Sequence, residues 1–168
     1  MDLHNAVWNV IDEQASQVWE IALRIAEHPE LGFEEHRTSA VIKDFLKNEG
    51  IEYYETAGTG ICAIIKGKGT RTVALRADMD ALPIQDSKLS SYASKIPGKM
   101  HACGHDAHTA MLLGAAKILN SIKAELKGNV KLLFEPAEET TGGAAVMIRE
   151  GVLENPHVEA VIGLHVDE

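Results

Sequence analysis

At 168 residues, 45% of them hydrophobic, the chain has the length and the apolar content of one folded domain. Acidic residues outnumber basic ones by 25 to 16, giving a formal charge of −9, and the lysines and arginines are scattered, which argues against a nucleic-acid partner. No apolar run approaches the roughly 20 residues of a membrane span, the start Met1-Asp2-Leu3-His4-Asn5 lacks the layout of a signal peptide, and Cys62 and Cys103 are the only cysteines, so a soluble cytoplasmic protein without membrane contact or a disulfide framework is expected.

Over residues 5–27 apolar side chains recur at helical spacing, with Val7, Ile11, Ala15, Val18, Ala22 and Ile25 on one stripe. Trp8 and Trp19 lie eleven residues apart, close to three turns, and are expected on a core face. His28-Pro29 stops this helix. Ile42, Phe45 and Leu46 predict a second helix over 37–47, closed by Asn48-Glu49-Gly50. The period then changes. Residues 60–65 and 72–77 read as strands joined by a turn around Gly67-Lys68-Gly69, and Cys62 in the first is expected to be a small core hydrophobe. Residues 106–122 read as a helix with Leu112, Ala115, Leu119 and Ile122 on its apolar face, followed by a strand over 129–135, a helix over 143–150 and a strand over 158–164. Alternating strands and helices without a repeat predict an α/β layer fold with a largely buried sheet.

The densest chemistry is His101-Ala102-Cys103-Gly104-His105-Asp106-Ala107-His108, just before a helical pattern. Thiol and imidazole are metal donors, and the flexible Gly104 lets Cys103 and His105 turn toward one ion. In open α/β sheets ligands gather beyond the carboxyl ends of the strands. Asp78 and Asp80 follow one predicted strand, Glu138 and Glu139 another, and His165 a third. Asp78 and Asp80, two apart, can share a face, and Asp80 can fix a ligand imidazole through its second nitrogen. Pro136 puts Glu138 and Glu139 on a turn, where divergent side chains allow one carboxylate to hold a metal and the other to move a proton. Each cluster also has a plainer reading: a solvated acidic turn for the glutamates, an edge histidine for His165, a turn before Ala81 for the aspartates. A closed structural zinc site leaves the glutamate pair unused. A thiol nucleophile, Cys103 with a histidine base at a helix amino end, stays open on spacing alone.

Taken together, His28-Pro29-Glu30-Leu31-Gly32, Leu75-Arg76-Ala77-Asp78-Met79-Asp80-Ala81-Leu82-Pro83, the 100–109 run, Pro136-Ala137-Glu138-Glu139 and Gly163-Leu164-His165-Val166 resemble metal-dependent amidohydrolases of the aminoacylase, hippurate hydrolase and indole-acetyl-amino acid hydrolase type. The resemblance implies a three-layer α/β/α zinc-peptidase-like catalytic domain with a mixed, mostly parallel sheet. It implies two divalent ions (manganese, zinc or cobalt), with Cys103, His105, Glu139 and His165 as ligands, Glu138 as general acid/base and Asp80 as the orienting carboxylate. His101, Asp106 and His108 take supporting or helix-capping roles. The implied substrate is an N-acyl amino acid. Glu135 stands where such proteins commonly carry glutamine. The family adds a smaller lid or dimerisation domain and a returning segment with one more histidine ligand, so residues 1–168 match the amino-terminal portion of one catalytic domain. A complementing carboxy-terminal segment or homo-oligomer is the expected partner.

Overall fold

The strand over Asn129–Glu135 is buried along nearly its whole length, and the other elements arrange themselves on its two faces. The computed structural model describes residues 3–140 and 142–166; the Met1-Asp2 start lies outside them. In chain order the elements are α1 (Leu3–Ala26), α2 (His36–Asn48), β1 (Glu52–Thr56), β2 (Gly60–Ile65), β3 (Thr72–Asp78), α3 (His105–Ser121), β4 (Asn129–Glu135), α4 (Gly143–Arg149) and β5 (Ala160–Gly163), with a 3₁₀ turn over Lys123–Glu125.

The strands form one sheet in the order β1-β2-β4-β3-β5. β3 runs parallel to β4 and β5, whereas β2 runs antiparallel to β4 and β1 antiparallel to β2. The sheet is therefore mixed, as expected: β1, β3, β4 and β5 run in one direction and β2 alone opposes them. Side chains alternate across it. Ile61, Ala63 and Ile65 of β2 and Leu132 and Phe134 of β4 meet Ile21, Ile25, Ile42, Leu46 and Leu113 of α1, α2 and α3 on one face. Cys62, Ala74 and Leu133 turn to the other face, against Met147 of α4, Val152 and Val158. Helices thus cover both faces in three layers. Replacing Ile42 or Leu132, neither of them exposed, by Ala would cost roughly 2–5 kcal/mol.

Several expectations are corrected. Trp8 and Trp19 are 52% and 60% exposed, because they lie to one side of the face of α1 that Gln14, Ile21, Ala22 and Ile25 bury. The segment around Gly67–Gly69 joins β2 to β3 as expected, but the two strands are not neighbours, because β4 inserts between them. β1, Glu-Tyr-Tyr-Glu-Thr with Thr56 as its one buried residue, has too little apolar alternation to be read from sequence. Cys62 is fully buried, as a core hydrophobe should be.

The parallel part positions the chemistry. Asp78 pairs in register with Glu135, and Arg76 with Gly163, so β3, β4 and β5 deliver their following residues to one sheet end. Among the described residues, no helix is long and apolar enough to cross a membrane.

Candidate metal centre

β3 ends at Asp78, and Met79 turns into the core, so Asp78 and Asp80 both face the start of α3. Gly104 makes that start possible. Its φ of 80° favours glycine, and a Cβ there would lie 2.3 Å from Val166 Cγ2. α3 then begins at His105, which shares a helix face with His108 three residues on. His105 Nδ1 lies 3.2 Å from Asp80 Oδ1, and His108 Nδ1 lies 2.6 Å from Asp78 Oδ1. Asp80 Oδ2 also accepts the Glu139 N–H at 3.0 Å, joining the helix start to the turn after β4.

From β5, the Val166 N–H donates to His108 Nε2 at 2.9 Å, which sets His165 beside Cys103 with Sγ and Nε2 3.3 Å apart. Donor atoms of Cys103, His105 and His165 lie within 4.8 Å of one another, as do those of His105, Glu138 and Glu139, so His105 belongs to both groups. Asp78, His105 and His108 form a third such group. Nε2 of His105 is 3.7 Å from Glu139 Oε1 and 3.9 Å from Glu138 Oε2. Both Nε2 of His105 and Oε1 of Glu139 are buried without a hydrogen-bond partner. Leaving such groups unsatisfied costs roughly 1–3 kcal/mol each, and a cation between them would satisfy both. This soft and hard donor set fits a divalent transition metal.

The electrostatics agree. Burial, then the Glu139 hydrogen bond and the fields of Glu139, Asp78 and Glu138, push the Cys103 thiol up to about 11. A nucleophilic thiolate needs the opposite, electropositive surroundings. Burial works against the charges of His105 and Asp80, yet their mutual hydrogen bond and nearby groups hold the imidazole above and the carboxyl below their ordinary values. His101, next to this cluster, has both ring nitrogens buried without partners, and burial pushes its pKa down to about 3.

Residues 74–168 match the model of peptidase family M20/M25/M40. The chain belongs to this family. An Arabidopsis thaliana protein named IAA-amino acid hydrolase ILR1-like 4 is 52% identical over 147 residues, covering 87% of this chain and 33% of that protein. N-acetylcysteine deacetylase of Bacillus subtilis (strain 168) is 48% identical over 142 residues, 83% of this chain and 37% of its own length. A crystal structure from Bacillus subtilis, of a dinuclear metal binding peptidase from the M20 family, superposes with a TM-score of 0.86 at 43% identity, covering 90% of this chain and 43% of that one. This M20 chain thus spans about a third to two fifths of the length of these proteins.

In the M20 chain, all six residues singled out from sequence, Cys103, His105, Glu138, Glu139, His165 and Asp80, converge at one sheet end. Asp78 does not join the pair as a twin of Asp80; it holds His108 and, at 2.6 Å, Arg76 Nη1. Gly104 is the N-cap, and Asp106 lies half-buried in the first turn, where its carboxylate meets the Ala107 and Asp106 N–H groups. Glu135 is structural, accepting from Arg76 Nε at 2.6 Å and from the Ala144 N–H at 2.9 Å. Glu35, buried below the turn after β4, was not singled out. No local motif distinguishes it from its neighbour Glu34.

Proposed function

We propose that this chain carries the metal-binding part of an amidohydrolase that cleaves the amide bond of N-acyl amino acids. The observation that carries the reading is the pair of unsatisfied buried donors, His105 Nε2 and Glu139 Oε1, 3.7 Å apart amid Cys103, His165 and Glu138. Cys103, His105, Glu139 and His165 would hold two divalent ions, manganese, zinc or cobalt. When bound, such ions polarise a carbonyl and bring the pKa of water to about 7. The M20 relatives named for IAA-amino acids and N-acetylcysteine support the substrate class, since N-acetylcysteine carries an acyl group on an amino-acid nitrogen.

The two glutamates divide the work by exposure. The Glu138 side chain is 40% exposed and Glu139 20%, so Glu138 faces incoming substrate while Glu139 stays with His105. Glu138 accepts a proton from attacking water and returns it to the leaving nitrogen. Asp80 holds His105 at Nδ1 and leaves Nε2 directed at the glutamates. Metal binding without turnover is the second reading, since the donor groups lie within residues that span only about a third to two fifths of the relatives' length.

Metal analysis of the purified protein tests the ligand set. Cys103→Ser with His105→Ala should abolish binding, and unchanged metal content would sink the assignment. In a protein of full family length, Glu138→Gln should keep the metal and lose roughly 10²–10⁴-fold in turnover, whereas Glu139→Gln should lose the metal. Indistinguishable variants would end the division of roles.

A further inference from the structure

Glu35 occupies the N-cap position of α2, yet its side chain makes no capping hydrogen bond. Capping falls to Glu30, whose carboxylate accepts the N–H groups of Arg37 and Thr38 and the Thr38 hydroxyl at 2.9, 2.8 and 3.0 Å. The Glu35 carboxylate turns inward instead and is completely buried. Its Oε1 accepts the Ala137 N–H at 2.8 Å, and its Oε2 accepts the Thr59 hydroxyl. A buried carboxylate not used for its local helix needs another reason to be there.

Ala137 supplies it. It is a non-glycine residue at φ 51°, two positions before Glu139, in a backbone region that such residues adopt only when their surroundings hold them. Its carbonyl accepts the N–H groups of Gly142 and Gly143 at 3.0 and 3.3 Å. Its methyl lies against Gly32, where a Cβ would meet it at 2.8 Å, so only glycine leaves it room. Two buried carboxylates therefore grip this turn by its amides. Asp80 takes the Glu139 N–H and Glu35 the Ala137 N–H, and Thr59 ties Glu35 to the turn between β1 and β2.

We propose that Glu35 is a positioning residue for the metal centre: by holding Ala137 in its left-handed conformation, it aims Glu139 at His105. This role rests on the reading of Glu139 as a ligand. The carboxylate never touches the ion and acts only through the backbone. Its removal is therefore expected to change affinity for metal more than it changes the fold.

The test titrates manganese and zinc against a competing chromogenic chelator, with thermal unfolding in EDTA recorded for each variant. Glu35→Ala should bind metal roughly 10–100-fold more weakly, the range for losing a group that orients a ligand. Glu35→Gln, which keeps an acceptor for the Ala137 N–H, should restore affinity close to that of the unaltered protein. Glu30→Gln is the control, since it weakens the α2 cap without touching the turn, and should lower thermal stability but not affinity. Unaltered affinity in Glu35→Ala overturns the proposal, as does an equal affinity loss in Glu30→Gln. Where Glu35→Ala does not fold, Thr59→Val decides: weaker metal binding supports the role and unchanged binding overturns it. Failure of the unaltered protein to bind either ion overturns the metal reading itself, and the positioning role with it.

Discussion

Two carboxylate–imidazole pairs, Asp80 with His105 and Asp78 with His108, lie side by side and are both buried. The aspartates are two residues apart after β3 and the histidines three apart on α3, so their chemistry is nearly the same. They differ at the far nitrogen. Nε2 of His108 accepts the Val166 N–H, whereas Nε2 of His105 has no hydrogen-bond partner and faces oxygens of Asp78, Glu139 and Glu138 at 3.6, 3.7 and 3.9 Å. A carboxylate behind an imidazole makes it rigid and sets its tautomer; the group delivered to the other nitrogen decides whether it is a clamp or a donor. One pair holds β5 against α3. The other is left available for an ion.

The most damaging way to break this contrast is Asp78→Ala. It strips a buried partner from both Arg76 and His108, and breaking such a network costs about 3–5 kcal/mol. Urea unfolding of metal-free protein measures this, and a loss well below 1 kcal/mol would show that the Asp78 pair is not structural. Asp80→Asn should act on binding instead, weakening manganese or zinc affinity about 10–100-fold with a smaller effect on stability. His108→Gln should show the reverse, losing about 1–3 kcal/mol of stability while retaining metal. If His108→Gln and Asp80→Asn reduced metal affinity alike, the two pairs would be equivalent and the contrast would fail.

The smallest expected effect is on pH dependence. In metal-free protein burial disfavours the charged form of His105, but the Asp80 hydrogen bond and the field of Asp78 outweigh it and raise its pKa above 6.5. A proton held more tightly in the folded state stabilises that state below the unfolded pKa, and the gain is lost as pH rises through the folded value. Unfolding free energy in EDTA should therefore decline as pH rises above 6.5, and Asp80→Asn should flatten that decline. The depressed pKa of Asp80 acts below its ordinary 3.8, outside this window. A slope that the substitution leaves unchanged would show that Asp80 does not govern the charge of His105.

Much of the site was legible because its residues come as short strings at the ends of periodic segments. Cys103-Gly104-His105 opens a helix, Pro136 halts a strand before Glu138 and Glu139, and His165 follows an apolar run, so local pattern located each one. The unbroken apolar run of Ile61 to Ile65 likewise marked a strand, and the structure divides it between two buried faces. Trp8 and Trp19 misled, since their eleven-residue spacing shows that they share a face but not that this face is the one turned to the core. Pairing order was equally out of reach. Whether β4 lies beside β2, β3 or both depends on contacts between residues some 60 positions apart, such as Asp78 with Glu135.

By itself the sequence determined most of the elements, though not β1, and the set of chemical groups available at the strand ends, because these follow from periodicity and residue type over a few neighbouring positions. The tertiary structure alone decided how those groups are used. Which imidazole keeps a free nitrogen, which aspartate orients and which one clamps, and that Glu35 supports the Ala137 turn all depend on which long-range partner reaches each polar atom first. Most buried donors and acceptors find a partner, and the fold decides in space rather than along the chain which ones do and which, like His105 Nε2, are left without.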